Sequence, residues 1–149
     1  MKDPRFYILP IISIILIAVI LFRPDITGLV VGAGEPADGI KHLTGKVRIT
    51  IYDTIIPEDS VVTIFLGDQS SSMPIKEFIE KSGGIYEVEY GRIPDIGYEG
   101  YGYAGEHFYT LDLSEFDLDL DLEPGEYTLI TEVSYENFVI SSTAEDIVV

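Results

Sequence analysis

The chain has 149 residues, no cysteine, nine basic residues against 26 acidic ones and a formal net charge of −17. Without cysteine it has no disulfide, thiolate metal site or cysteine nucleophile. So acidic a chain lacks the Lys and Arg needed to neutralise phosphates, which argues against nucleic acid as a partner. The charge is unevenly shared: the first 34 residues hold three basic and two acidic side chains, and the remainder, with six against 24, carries −18.

Residues 6–22 form 17 consecutive uncharged positions bounded by Arg5 and Arg23, and thirteen of them are Ile, Leu, Phe or Val. Near the bilayer centre such residues contribute roughly −4 to −8 kcal/mol before losses at Pro10, Ser13 and the ends. As a helix the run spans about 26 Å, a little short of the hydrocarbon core, and Arg5, Arg23 and Tyr7 can reach the interfaces. Residues 1–25 are therefore expected to be a transmembrane anchor, with the lipid bilayer as partner of residues 6–22. A cleaved signal peptide is the competing reading, but Arg23-Pro24-Asp25 follows the run where small residues are required. Lys2, Arg5 and the terminal amine outweigh Arg23. The expected topology is thus a single pass in the cell membrane, with a cytoplasmic N-terminus and an extracytoplasmic C-terminal domain.

Residues 26–42 contain Gly32, Gly34, Pro36 and Gly39 among small residues and read as a flexible stem. From residue 43 to 149 the period becomes two. Val47, Ile49 and Ile51 alternate with Arg48 and Thr50. Residues 61–66 are a short β-branched run, and residues 85–90, 108–113 and 116–122 alternate again. Residues 127–135 and 138–149 suit a terminal hairpin across Glu136-Asn137. One helix is expected after Pro74, stopped by Gly83-Gly84, with Ile75, Phe78 and Ile79 on one face and Lys76/Glu80 and Glu77/Lys81 paired on the other. Ser70 to Ser72 read as the loop feeding it. About seven strands and one short helix in about 107 residues predict an all-β fold, an antiparallel sandwich ahead of a closed barrel.

Residues 122–129, Leu-Glu-Pro-Gly-Glu-Tyr-Thr-Leu, resemble the turn and strand opening of immunoglobulin-like and fibronectin III-like domains. The resemblance implies an Ig-like sandwich in which Tyr127 forms a tyrosine corner, its hydroxyl bonding back to nearby backbone, and Leu129 stands where antibody-type domains carry cysteine. The layout of short anchor, stem and one acidic sandwich is also similar to archaeal membrane-anchored surface proteins, a likeness that implies no activity.

Among candidate sites, residues 97–109 (GYEGYGYAGEHFY) stand out. Tyr98, Tyr101, Tyr103 and Tyr109 offer rigid rings with a hydroxyl each, suited to glycan or protein contact. The alternative is a glycine-kinked hairpin whose tyrosines cover a sheet edge. Asp112, Asp117, Asp119 and Asp121 invite Ca²⁺, but an EF-hand would need glycine at Leu122 and glutamate at Thr128. On a strand, Asp117, Asp119 and Asp121 would lie about 7 Å apart along one face, a solvated stripe rather than a cage. No metal site or cofactor is expected. His42 and His107 stand apart without cysteine partners and read as surface histidines. With no nucleophile elbow, no catalytic residue is expected, and the chain is not expected to be an enzyme. The expected function is a membrane-anchored extracytoplasmic binding or structural module engaging protein or glycan. The alternatives are an accessory subunit of a larger membrane complex and a secreted domain released by signal cleavage.

Overall fold

A computed structural model describes residues 27–33, 39–52 and 54–149 and shows a mostly antiparallel all-β fold with one short helix. The expected anchor and its apolar run at 6–22 lie outside the described residues. No helix among the described residues is long and apolar enough to cross a membrane.

The first sheet is built on β2 (Lys41–Ile51), which buries Leu43, Val47, Ile49 and Ile51 on one face. It is flanked on one side by β1 (Thr27–Ala33), in register from Thr27 opposite Ile49 to Ala33 opposite Leu43. On the other side lie β8 (His107–Asp112) and β9 (Asp121–Leu122). The stem expected over 26–42 therefore contains a paired strand. Leu29, Val30 and Val31 favour extended backbone, and an adjacent strand edge completes their hydrogen bonds more strongly than the glycines around them loosen the chain. On β8 the alternation buries Tyr109 and Leu111 and turns Phe108 outward, where the Arg48 guanidinium lies 4.6 Å from its ring centre.

The second sheet has the order β11-β10-β4-β5. In it β4 (Val61–Leu66) buries Val62, Ile64 and Leu66. Its neighbour β10 (Glu126–Tyr135) buries Leu129, Thr131 and Val133. The hairpin to β11 (Phe138–Val148) turns at Glu136, whose φ is +50°, with Tyr135 opposite Phe138. The inward faces of both sheets contribute to one apolar cluster. Each fully buried aliphatic side chain there stabilises by roughly 1.5–3 kcal/mol.

The serines read as a loop form β5 (Gln69–Pro74), paired with β4 from Leu66 opposite Gln69 to Val61 opposite Pro74. Thr63 and Ser72 share a 2.9 Å hydroxyl bond across that pair, so polar side chains sustain a strand whose residues have little propensity for it. Helix α1 (Ile75–Lys81) follows directly, because Pro74 has no N–H to continue the ladder but suits a helix start. Its first amide is satisfied by the Ser60 carbonyl at 2.9 Å. Ile75, Phe78 and Ile79 are buried, and Lys81 bridges Glu77 at 3.1 Å and Glu115 at 3.4 Å. Seven residues are too few for a free-standing helix, so this buried face holds it.

Of the strand expected over 116–122 only β9 exists. Phe116, Leu120 and Leu122 are buried as the alternation requires. The amides of Asp117 and Asp119, however, go to the Ser71 hydroxyl (3.0 Å) and the Gln69 side-chain oxygen (2.8 Å). The Gln69 amide nitrogen in turn donates to the Asp119 carbonyl at 3.2 Å. Side chains of β5 thus replace the strand backbone the segment would otherwise need.

The third sheet was least visible in the sequence. Its order is β3-β7-β6, with β3 (Ile56–Pro57), β6 (Glu87–Ile93) and β7 (Tyr98–Ala104). A short 3-10 turn over Pro94–Ile96 and a left-handed Gly97 (φ +68°) join β6 to β7.

Candidate binding surface

The alternation of glycine and tyrosine in β7 separates two faces. On one, a Cβ at Gly102 would sit 2.5 Å from the Ile56 carbonyl oxygen and collide with the Ile55 side chain, which would also meet a Cβ at Gly91. Glycine lets Ile55 and β3 lie directly on the hairpin backbone. The opposite face carries the rings of Tyr101 and Tyr103. Across it Tyr90 pairs with Tyr101 in register, their rings edge to face at 5.3 Å, and Tyr86 meets Tyr103 edge to face at 5.2 Å.

The four tyrosines singled out in the sequence do not form one surface. Tyr103 and Tyr109 are each only 2 % exposed and belong to the core, so they offer a ligand almost no ring area. The Tyr109 hydroxyl donates to the Ile85 carbonyl at 2.9 Å, and its ring lies where a Cβ on Gly84 would be. The Tyr98 hydroxyl donates to the Tyr101 carbonyl, while its ring packs edge to face on Tyr135 at 5.0 Å. Tyr98 therefore ties the hairpin to the end of β10. Tyr101 alone stands open, 58 % exposed.

On the same side of the hairpin, the other exposed aromatic and apolar groups come from β6 and the residues before it. Tyr90 is 61 % exposed and Ile85 83 %, with Tyr86 and Val88 partly so. The alternation at 85–90 suggested a half-buried strand, yet Glu87 to Tyr90 are all exposed. Beside Tyr86 and Val88 lies a hollow of about 280 Å³, also lined by Glu58, Asp59, Lys76 and Tyr103. The acidic pair is placed by β3, whose residues Ile56 and Pro57 dock on Tyr103 and Gly102.

The phenols near this acid stay protonated. Burial, followed by the Glu58 carboxylate, pushes Tyr103 up to about 12. Burial also raises Tyr98, with Tyr135, Glu58 and Asp59 adding to it. Tyr90 is raised chiefly by donating to the Glu99 carboxylate at 3.2 Å. Phenols held neutral in this way are hydrogen-bond donors with apolar bodies rather than nucleophiles or bases.

The acidic residues near β9 do not converge. Asp117, Asp119 and Asp121 are exposed, and the Asp121 carboxylate meets His42 Nδ1 at 2.7 Å. Among the described residues no group of three or more His, Cys, Asp or Glu is placed to hold a metal ion. The Tyr127 hydroxyl donates to the Glu123 carbonyl, four residues back, at 3.0 Å. Neither a protein-family model, nor a curated protein, nor a solved structure matches the chain.

Proposed function

We propose that the chain is a single-pass membrane protein that displays an acidic immunoglobulin-like β-sandwich outside the cytoplasm. On this reading it binds a protein or glycan partner through the open side of the β6–β7 hairpin. The observation that carries the contact surface is the run of exposed side chains from Ile85 to Tyr90 with Tyr101 beside them. Rigid rings with one polar end give large contact area for little lost side-chain freedom. The uncharged run at 6–22 and the excess of positive charge before it support the anchor and its orientation. Two sheets sharing one core, and the Tyr127 bond to Glu123, support the immunoglobulin-like assignment.

The anchor is tested by washing membranes that carry the full chain with alkaline carbonate and treating intact cells with protease. Retention in the membrane with the domain cleaved from outside is expected; release, or complete protection, refutes the display. The surface is tested by changing Tyr86, Tyr90 and Tyr101 together to Ser. The variant should keep its melting transition and lose adhesion to purified cell envelope. Undiminished adhesion refutes this choice of surface.

A further inference from the structure

Among the described residues, most of the long strand edges are covered. β5 is strapped by the segment through Asp117 and Asp119, α1 lies against β8, and β1 and β11 lie beside one another. β3 is only two residues long. β6 pairs with β7 over all seven of its residues, from Glu87 opposite Ala104 to Ile93 opposite Tyr98, with no register shift, and has no other strand neighbour among the described residues. Soluble β-proteins blunt such edges with charged side chains, Lys above all, with Pro or with a bulge. From Glu87 to Gly91 this strand has no Lys, Pro or bulge, and its only charges are the acids Glu87 and Glu89, which repel anionic strands and leave the edge open to a cationic one; Arg92 and Pro94 come only at its end.

Its side chains specify what would fit. Glu87 and Glu89 point to one face, and Val88 and Tyr90 to the other, where Tyr101 extends the apolar strip. Opposed side chains on neighbouring strands favour opposite charges and matched apolar groups. A second copy of the chain would bring another −17 to the contact. We propose that the free edge of β6 takes an extended, cationic segment of a partner protein as an added strand, with Lys or Arg beside Glu87 and Glu89 and apolar residues beside Val88 and Tyr90. The backbone groups of the edge supply affinity and the alternation supplies selectivity. This rests on the reading of the β6–β7 hairpin as the contact surface and narrows its partner to one chemistry.

The probe is a labelled nine-residue peptide alternating Lys and Val, titrated by fluorescence anisotropy into the full-length chain in neutral detergent micelles at low salt. Saturable binding is expected, at least tenfold tighter than that of a Lys/Gly peptide of equal charge. A Lys/Val peptide N-methylated at alternate residues, which removes its bonding edge, should bind at least tenfold more weakly. The Glu87→Lys/Glu89→Lys variant, checked for an unchanged melting transition, should show the same loss. No binding, equal binding by the N-methylated or Lys/Gly peptide, or full binding by the charge-reversed variant each overturns the added strand. A concentration-dependent dimer that excludes the peptide assigns the edge to a second copy and likewise overturns it. If the peptide fails while the tyrosine-to-serine variant still loses envelope adhesion, the contact surface survives and only the strand partner is wrong. If that variant adheres normally, the surface itself is wrong.

Discussion

Gly102 is where the third sheet is most exposed to a single-atom change. In Gly102→Ala the new Cβ falls 2.5 Å from the Ile56 carbonyl oxygen and inside contact distance of the Ile55 side chain. The first obstacle is backbone, so β3 must lift from β7, at a cost of about 1–3 kcal/mol for overpacking. At roughly 4 °C per kcal/mol for a domain of this size, the melting temperature should fall by about 4–12 °C. Gly91→Ala is the matched control, because its Cβ meets only the flexible end of Ile55, which can turn away for about 1 kcal/mol. Adding Ile55→Ala should therefore restore Gly91→Ala and leave Gly102→Ala impaired. Thermal melts followed by circular dichroism measure all four variants, and hydrogen exchange at the Ile56 amide and at the Glu58 amide, which donates to the Tyr101 carbonyl, reports the lifting of β3. Full rescue of Gly102→Ala by Ile55→Ala, or a native melt for Gly102→Ala alone, would refute the argument that backbone contact requires this glycine.

Tyr103 carries a pH dependence. Its phenol is raised to about 12 in the folded chain against about 10 unfolded, so its contribution is complete below pH 10 and is lost as pH rises toward 12. The loss should be about 2–3 kcal/mol in denaturant titrations, and Tyr103→Phe should flatten that part of the profile; an unchanged alkaline slope speaks against it. Tyr127→Phe removes the bond to the Glu123 carbonyl and should cost about 0.5–1.5 kcal/mol in urea unfolding. Gln69→Ala removes both bonds to Asp119. It should speed hydrogen exchange at the Asp119 amide at least tenfold while leaving the β4–β5 amides protected.

Where one element supplied both the apolar stripe and its partner, the sequence was readable. β2, β4 and β10 show alternation on the strands that build the core, and the face of α1 is spelled out by Ile75, Phe78 and Ile79. Periodicity reports burial, however, and burial does not require a ladder. Leu118, Leu120 and Leu122 alternate as a strand would, yet side chains from β5 hold most of that segment. Conversely β5 has almost no apolar signal and is a strand because β4 is beside it. The tyrosine segment carried its signal in the wrong residues. The rings drew attention, whereas Gly102 marks where another backbone comes close and Gly91 where the Ile55 side chain does. Tyr103 and Tyr101 are two residues apart on one face, and only the third sheet's position decides that one is core and the other open.

The register of β1 bears on how a tethered domain would respond to tension. Thr27 begins the strand opposite Ile49, so the end nearest the proposed anchor lies at the same end of the sheet from which β2 leaves toward β3 and the binding hairpin. A pull between membrane and partner would then enter and leave on one side of the β1–β2 ladder and part its bonds in succession, as a zipper opens, rather than shearing all of them together. Releasing the seven residues of β1 would yield about 23 Å of chain before the core is strained. The strand could thus serve as slack held in reserve.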